Sequence, residues 1–371
     1  MKFIHCSDTH LGYSDYHKID PQTGINQREQ DFYRAWNLLI EVILRQKPDF
    51  VIHAGDLFHT TRPTNRAIAV ALEGIQKVSD AGIPFIMISG NHSTPKIRAT
   101  GSIFESIALF PNVYAAYQSR YQKFQIQDCD IHCIPHCSLT EELQSAFEQI
   151  DPAKNAKYQI LVTHGSWAGQ KSFSMGEFNE QKLPDPELIS KVEFDYIALG
   201  HYHKHIRIKS NVVYSGSTER TSFNEAGNPT GYVLAQLDAT KVDYIEIPSR
   251  PMFRLDPIDC RELTAAQIYD ELKNQSIPSL EGAMVSLGLI NLQHETLVKL
   301  DHREIDNIFS QTFILNKSLS QMTHDGNRVS GSTDLGTVPM EFERYIDNLK
   351  EGELDKDRLK ALGLEYLTKE M

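Results

Sequence analysis

The sequence predicts an α/β fold in which strands and helices alternate along the chain. The first observation is that amphipathic stretches with helical spacing follow short apolar stretches through the first hundred residues. The second is that five apolar stretches end in side chains that can bind a metal ion, mostly beside a glycine. Open α/β sheets bind their ligands at the carboxyl ends of the strands. The two observations together therefore predict a metal site on one edge of the fold.

The first hundred residues predict three strands separated by two helices. A strand over residues 2–6 is followed by a polar loop and a helix over residues 28–45, which carries an apolar face at helical spacing. A second strand leads into a helix over residues 64–80, and Gly82 after it is typical of a helix C-terminus. A third strand over residues 83–89 completes this region.

The middle of the chain is less regular. Residues 121–134 predict a pair of strands, and residues 139–150 predict a helix. The stretch 129–137 contains three cysteines and two histidines, but it lacks the C-x-x-C pairing of structural zinc sites, so we interpret it as ordinary strand. Four more strands are predicted within residues 206–247, and we expect them to complete a second sheet.

Composition divides the chain into four segments. We expect a large domain over residues 1–250 and a smaller α/β domain over residues 251–322. A polar, glycine-bearing linker follows over residues 323–337, and residues 338–371 are expected to be helical. The apolar side chains that recur at helical spacing in this last segment include Phe342, Tyr345, Ile346 and Leu349.

Size, charge and cysteine content limit the class of protein. The chain has 371 residues, is 40% hydrophobic and has no apolar stretch near the roughly 18 residues that a membrane span needs. It also opens without a signal-like segment, so we expect a cytoplasmic protein that does not enter a membrane. Five cysteines, an odd number, indicate reduced thiols. The formal net charge of -12 argues against a general nucleic-acid coat protein, but not against a phosphate ester held by metal ions.

Seven side chains that can bind metal follow five predicted strands. Alternate residues of a strand share a side, so we expect Asp8 with His10, and His201 with His203, each to face one cluster. Oxygen and imidazole ligands without a thiolate suit manganese, iron or zinc, and two such ions can promote phosphoester hydrolysis. Any one of these residues alone is more typical of a turn, a core or a surface, whereas the whole set favours a metal centre. The set is Asp8, His10, Asp56, Asn91, His164, His201 and His203.

These residues fall in five motifs that resemble those of the calcineurin-like metallophosphoesterases, and the resemblance covers residues 1–250. It implies a four-layer β-sandwich flanked by helices, with the metals at one edge. It also implies that Asp56 bridges two ions and that His92 lies beside the scissile phosphate and helps to protonate the leaving oxygen. The implied ligands are Asp8, His10, Asp56 and His203 for the first ion, and Asp56, Asn91, His164 and His201 for the second.

Within this family the sequence is most similar to the SbcD-type DNA repair nucleases. The residues that carry this similarity are Arg28 and Asp31 at the start of the first helix, residues 55–59 and residues 214–217. The similarity implies a nuclease that degrades double-strand DNA ends as an exonuclease and cuts single strands as an endonuclease. It further implies manganese as the metal, with magnesium or iron as alternatives, an SMC-like ATPase of SbcC type as partner, and a homodimer.

The same similarity assigns roles to the smaller segments and to residues around the metals. Residues 251–322 correspond in position to a DNA-capping domain, and residues 338–371 to an ATPase-docking segment. We predict that His92 and His59 are catalytic and that His59 and Ser93 contact the substrate. Ser93 is a departure, because the family usually has an acidic residue there, placed to orient the catalytic imidazole.

Two other functions stay open. One is a phosphodiesterase or phosphatase for small nucleotides, which the acidic net charge and the lack of a long basic stretch favour. The other is a scaffold without catalytic activity that keeps the fold only to bind a partner, which the complete ligand set disfavours.

Overall fold

A computed structural model describes residues 1–95, 97–151, 153, 155–167, 181–184, 189, 192–275, 279–321, 346, 356 and 358–360. They form two compact units. The first comprises Met1–Arg254 together with Leu280–Val285 and Thr312–Ile314. The second comprises Leu255–Ser279, Ser286–Gln311 and the described residues from Leu315 onward. The predicted linker lies outside the described residues, as does almost all of the predicted docking segment.

The described part of the chain contains strands and helices in the alternating order that the sequence predicts. The strands are β1 (Lys2–Cys6), β2 (Phe50–His53), β3 (Phe85–Ile88), β4 (Val113–Ala116), β5 (Gln122–Ile126), β6 (Cys129–Ile134), β7 (Tyr158–His164), β8 (Tyr196–Gly200), β9 (Ile206–Lys209), β10 (Val212–Tyr214), β11 (Gly231–Gln236), β12 (Lys241–Glu246), β13 (Met252–Arg254), β14 (Ile258–Asp259), β15 (Met284–Leu292) and β16 (Ile314–Gln321). The helices are α1 (Gln27–Gln46), α2 (Asn65–Asp80), α3 (Phe104–Ile107), α4 (Thr140–Glu148), α5 (Ala265–Asn274), α6 (His294–Lys299) and α7 (His302–Ile308).

Helix α1 has the start, the face and the end that its sequence predicts. The side chain of Asn26 caps it by accepting hydrogen bonds from the first backbone amides, a contact typically worth about 1 kcal/mol. The helix ends at Lys47, which adopts a left-handed conformation with φ 44°. Its neighbour α2 approaches closely at Gly74, where an added Cβ would lie 2.4 Å from Nε1 of Trp36. The predicted apolar face is buried, and it consists of Phe32, Trp36, Leu39, Ile40 and Ile43.

Two six-stranded sheets form the body of the first unit. The strand orders are β12-β11-β1-β2-β3-β4 and β5-β6-β7-β8-β10-β9. Strands β1 to β4 run parallel to one another, and so do strands β6 to β8. The carboxyl ends of these strands therefore lie at one edge of each sheet.

The two sheets pack face to face, and helices cover their outer faces. Side chains from both sheets share one apolar core, in which the rings of Phe3 and Tyr196 meet edge to face with centroids 5.1 Å apart. Helices α1 and α2 bury Trp36 and Ile75 against the first sheet, and α4 buries Phe147 against the second. The order of layers is helix, sheet, sheet, helix, which confirms the predicted fold class.

The expectation that residues 231–247 complete the second sheet is wrong. Strand β11 instead pairs antiparallel with β1, with Phe3 opposite Ala235, and β12 extends the first sheet beyond it. The alternation of Val233 and Ala235 predicts a strand with one buried face, but both sheets border the same core, so alternation alone does not choose between them.

The second unit has its own small sheet and helices. Strand β14 pairs in parallel with β15, with Ile258 opposite Leu289, and β16 also pairs with β15. Helix α5 begins with a capping box formed by Thr264 and Gln267 and buries Ile268. No helix in the described part of the chain is long and apolar enough to cross a membrane.

Candidate metal centre

The predicted ligands gather where the parallel strands of the two sheets end. Four of the predicted ligands follow strands of the first sheet, and the other three end or follow strands of the second. Backbone hydrogen bonds tie neighbouring strand ends together, from Asp8 N to Gly55 O at 3.0 Å and from His10 N to Asp56 O at 3.1 Å. Asp8 and His10 follow β1, Asp56 follows β2, Asn91 follows β3, His164 ends β7, and His201 and His203 follow β8.

The glycines beside these ligands are required by close packing. Gly55 has φ +104°, and a Cβ on it would lie 2.3 Å from Nδ1 of His164. A Cβ on Gly90 would lie 2.2 Å from Oδ1 of Asp56. Distances below 3.0 Å do not occur for real Cβ atoms, so these two positions admit only glycine without movement of a site residue. The glycines in the motifs therefore let the ligand side chains come together.

Four site residues have left the strand conformation. Asp8, His10, Asp56 and His201 have positive φ values of 53°, 42°, 54° and 107°. Non-glycine residues rarely adopt such values, and they concentrate at functional sites. The rule that alternate residues of a strand share a side does not apply to residues in this conformation. His201 and His203 accordingly contact different residues. His203 joins Asp8 and His10, whereas the ring of His201 lies against that of His164, with centroids 5.4 Å apart.

The first group of potential ligands is formed by Asp8, His10 and His203. One ligand atom of each lies within 4.8 Å of the others. Nε2 of His10 is 3.0 Å from Nε2 of His203, which is 4.0 Å from Oδ1 of Asp8. Two imidazole nitrogens this close share at most one proton, so at least one of them presents a lone pair in the space beside the carboxylate. This arrangement fits a cation.

The second group is formed by Asp8, Asp56 and His164, with Asn91 beside it. Nδ1 of His164 lies 2.9 Å from the carbonyl oxygen of Ala54, while its Nε2 lies 2.9 Å from Oδ1 of Asn91 and 3.3 Å from Oδ2 of Asp56. Both nitrogens face oxygen acceptors, yet a neutral imidazole carries only one proton. The ring therefore requires either a second proton or a cation on Nε2, and the donor set suits a divalent metal.

Protonation energetics agree with this interpretation. Burial lowers the pKa of His164, but the carboxylates of Asp56 and Asp8 outweigh it and raise this pKa to about 9. For His203, burial again lowers the pKa, whereas Glu225, Asp8 and Asp56 raise it to about 9. Metal ligands must give up such protons, so cations bound here would replace them.

The pKa values of the other two histidines among the predicted ligands, His10 and His201, shift in the opposite direction. Burial, followed by the neighbouring His92 and His203, holds the pKa of His10 well below its usual value. Burial and His164 lower the pKa of His201 to about 3. Both rings are therefore neutral near pH 7, which is the form that binds metal.

His92 lies next to the two ligand groups and is held from both ends. Its backbone amide donates to Oδ1 of Asp56 at 2.9 Å, and its Nδ1 lies 2.8 Å from the carbonyl oxygen of His59. A carbonyl only accepts, so Nδ1 carries a proton. The rings of His59 and His92 stack with centroids 5.2 Å apart, and Nδ1 of His59 is 3.4 Å from Nδ1 of His10. His59 thus contacts both the predicted catalytic imidazole and a predicted ligand.

Ser93 occupies a different environment from the one expected of a substrate contact. It is 2% exposed, and its hydroxyl lies 3.5 Å from the carbonyl oxygen of Phe58. The carbonyl of His59 fixes the ring of His92, which is the task expected of an acidic residue at position 93. Contact of Ser93 with substrate stays a prediction.

Three further residues at the site were not found from the sequence. Oε1 of Glu225 is 3.0 Å from Nδ1 of His203, Ser7 donates to the carboxylate of Asp8, and the ring of Tyr13 packs edge-on against His59. Glu225 lies 22 residues beyond His203, at the end of a single 3₁₀ turn (Phe223–Glu225) within a loop that has no motif. No local pattern identifies it, because its role depends on how the chain folds back.

The cysteine-containing stretch 129–137 supplies no member of the ligand groups found among the described residues. Residues Cys129 and Cys133 lie in strand β6 and are fully buried, and all five cysteines of the chain are unpaired. Among the described residues, no group of potential metal ligands includes this stretch. The interpretation as strand holds for residues 129–134, whereas residues 135–137 lie beyond the end of β6.

Comparison with known proteins supports the family resemblance of the sequence. Residues 1–205, which include all seven predicted metal ligands, match the family described as calcineurin-like phosphoesterase. The chain is 30% identical over 292 residues to the DNA double-strand break repair protein Mre11 of Methanococcus maripaludis, covering 74% of each chain. It is 28% identical over 293 residues to the protein of that name from Methanocaldococcus jannaschii, covering 76% of this chain and 73% of that protein. The corresponding protein of Thermoplasma acidophilum is 31% identical over 229 residues, covering 60% of this chain and 57% of its own length.

Proposed function

This chain belongs to the calcineurin-like phosphoesterase family, and from that membership we propose that it is a DNA nuclease that uses two divalent metal ions. The observation that supports the proposal best is that two ligand groups meet at Asp8, with Asp56 in the second group and the ring of His92 fixed next to it. A catalytically silent scaffold would not need two buried carboxylates and facing imidazole lone pairs, which are costly to keep without a cation.

The ligands divide between two cation positions. Asp8, His10, Asp56 and His203 would hold the first ion, and Asp56, Asn91, His164 and His201 would hold the second. Oxygen and imidazole donors support manganese, with magnesium or iron as alternatives. Two divalent ions supply Lewis-acid polarisation of phosphoryl oxygens and neutralise charge that develops in the transition state.

The protein contributes a positioned proton donor. The hydrogen bond from Nδ1 of His92 to the carbonyl of His59 fixes the plane of the imidazole. The proton available to a leaving oxygen is then the one on Nε2, at the opposite side of the ring. General acid assistance of this type is typically worth about 10²- to 10⁴-fold in rate. His59, which stacks on this ring, would contact DNA on the same side.

The similarity to proteins named for DNA double-strand break repair supports DNA as the substrate. We propose exonuclease activity on double-strand ends, endonuclease activity on single strands, an SMC-like ATPase of SbcC type as partner, and a homodimer. Five unpaired cysteines support a reducing, cytoplasmic location. Residues 251–322 are proposed to cap the DNA, and residues 338–371, of which the structure describes few, to dock the ATPase.

One set of assays separates this proposal from its alternatives. Purified protein with manganese would be given a labelled DNA duplex, a hairpin and a chromogenic phosphodiester. We expect cleavage of both DNAs, and its loss on chelation and in Asp56→Ala. Cleavage of the small phosphodiester alone would indicate a small-nucleotide phosphodiesterase. Metal binding without hydrolysis of any substrate would indicate a scaffold.

A further inference from the structure

We propose that Glu225 is a positioning residue that acts through His203 and makes the first cation position the tighter one. The inference rests on the proposed function, because it concerns the same metal centre. Its starting point is the 3.0 Å contact between Oε1 of Glu225 and Nδ1 of His203. No motif includes Glu225.

The contact decides which nitrogen of His203 faces the cation. A carboxylate only accepts, so the proton of His203 lies on Nδ1. In the neutral form that binds a cation, Nε2 then presents its lone pair toward Nε2 of His10, 3.0 Å away, and Oδ1 of Asp8, 4.0 Å away. A carboxylate on the outer nitrogen also increases the basicity of the inner one, which strengthens metal binding.

The two cation positions differ in the group that faces the outer nitrogen of a histidine ligand. The outer nitrogen of His164, a ligand of the second position, faces the neutral carbonyl of Ala54 at 2.9 Å. The second position also includes the neutral side chain of Asn91. The first position therefore receives a negative charge through His203 that has no equivalent at His164.

Glu225 is itself held firmly in place. Its Oε1 accepts from the hydroxyl of Thr221 at 2.6 Å, and its Oε2 accepts from the backbone amide of Thr221 at 3.0 Å. The side chain is only 14% exposed, so water screens its charge weakly. Both oxygens are thus fixed before any cation arrives.

A buried ionic network anchors the start of this loop. The fully buried Arg28 bonds Asp31 at 2.6 Å and the carbonyl oxygen of Arg220 at 2.5 Å, and it lies 3.4 Å from Glu219. Arg250 bonds Asp31 through two nitrogens, at 2.6 and 2.9 Å. The loop that carries Glu225 therefore begins from a rigid point. Arg28 and Asp31, at the start of α1, thus have a structural role near the metal centre.

The test is a calorimetric titration of the full-length chain with Mn²⁺. We expect Glu225→Ala to lower the affinity of the tighter of the two positions by about 10- to 100-fold and to leave the other unchanged. Glu225→Gln should lose less, because an amide oxygen still accepts from Nδ1. The matched control is Glu246→Gln, which removes an exposed carboxylate on β12 and should change neither affinity.

A second background tests that Glu225 acts through His203. In His203→Ala, the further change Glu225→Ala should have no additional effect on Mn²⁺ affinity. Equal losses in both backgrounds, or full affinity in the single variant, would overturn the proposal. Circular dichroism would check folding, and if Glu225→Ala does not fold, Thr221→Val, which removes one hydrogen bond to the carboxylate, should give a smaller loss at the same position.

The outcomes also separate this proposal from the function it rests on. A wild-type chain that binds no divalent cation would refute both. A wild-type chain that binds two ions, with an unchanged Glu225→Ala variant, would refute only the role of Glu225.

Discussion

The imidazole of His92 donates a hydrogen bond from Nδ1 to the backbone carbonyl oxygen of His59, 2.8 Å away. The bond fixes the ring without a carboxylate, so Ser93 at the position of the usual acidic residue need not weaken catalysis. It also gives His59 two contributions that can be separated, since substitution of its side chain leaves the carbonyl in place.

His59→Ala should retain both metal ions and most hydrolysis of a small phosphodiester, because the carbonyl that holds His92 remains. Degradation of duplex ends should fall further, since the imidazole that would contact DNA is lost. Parallel rate measurements on the two substrates check this. Equal losses on both would argue against a DNA-specific role.

Ser93→Asp should destabilise the protein without raising its activity. The position is 2% exposed and lies near the carbonyl of Phe58, so a carboxylate there would be buried beside an acceptor. We expect a loss of at least about 2 kcal/mol in the free energy of unfolding, against less than about 1 kcal/mol for the control Ser93→Ala. Denaturant unfolding measures both, and higher turnover in Ser93→Asp would show that the carbonyl of His59 does not suffice.

Asp56→Ala should empty both cation positions, because the proposed function makes Asp56 the ligand that both ions share. Oδ2 lies 3.3 Å from Nε2 of His164, and Oδ1 accepts from the amide of His92 at 2.9 Å. Elemental analysis after gel filtration gives the metal content. Asp80→Ala, an exposed carboxylate at the end of α2, is the control and should keep the wild-type content. Two ions retained in Asp56→Ala would contradict its bridging role.

His92→Ala should keep both ions and lower turnover by about 10²- to 10⁴-fold, because it removes a proton donor and no predicted ligand. Metal content and single-turnover rates would be measured on the same sample. A variant that lost one ion would show that His92 is itself a ligand.

Removal of the metals should make stability depend on pH. The pKa values of His164 and His203 are raised in the folded chain from 6.5 to about 9. A raised pKa stabilises the folded state fully below the unfolded value, and this stabilisation is lost as the pH rises through the folded value. The melting temperature of chelator-treated protein should therefore fall between about pH 6.5 and pH 9.

Two comparisons test whether His164 and His203 cause this fall of the melting temperature with pH. The lowered pKa values of His10 and His201 act only below pH 6.5, where they cost stability, so they do not contribute in this window. Protein loaded with Mn²⁺ should show a much flatter profile, because cations replace the protons. A chelated protein without the slope would show that His164 and His203 are not protonated in the folded state.

Much of the molecule is determined by local sequence. The apolar face of α1, the asparagine that caps it and the strands that lead to Asp8, Asp56 and His164 depend on spacing and on residue type, which a single sequence displays. The identity of the family and the α/β fold were predicted correctly for the same reason. The motifs lie at strand ends, where short segments carry the chemistry.

Only the tertiary structure decides which segments meet. Strand β11 joins the first sheet because its partner is β1, more than 200 residues away, and two sheets that share one core leave that choice open to the sequence. His203 pairs with His10 and Glu225, and His92 with the carbonyl of His59, through contacts that no local periodicity encodes. The sequence by itself thus predicted the ligands, and the family resemblance that its motifs carry implied their division between two positions. The groups that hold these side chains required the folded chain, because backbone carbonyls and loop carboxylates acquire a role only through proximity.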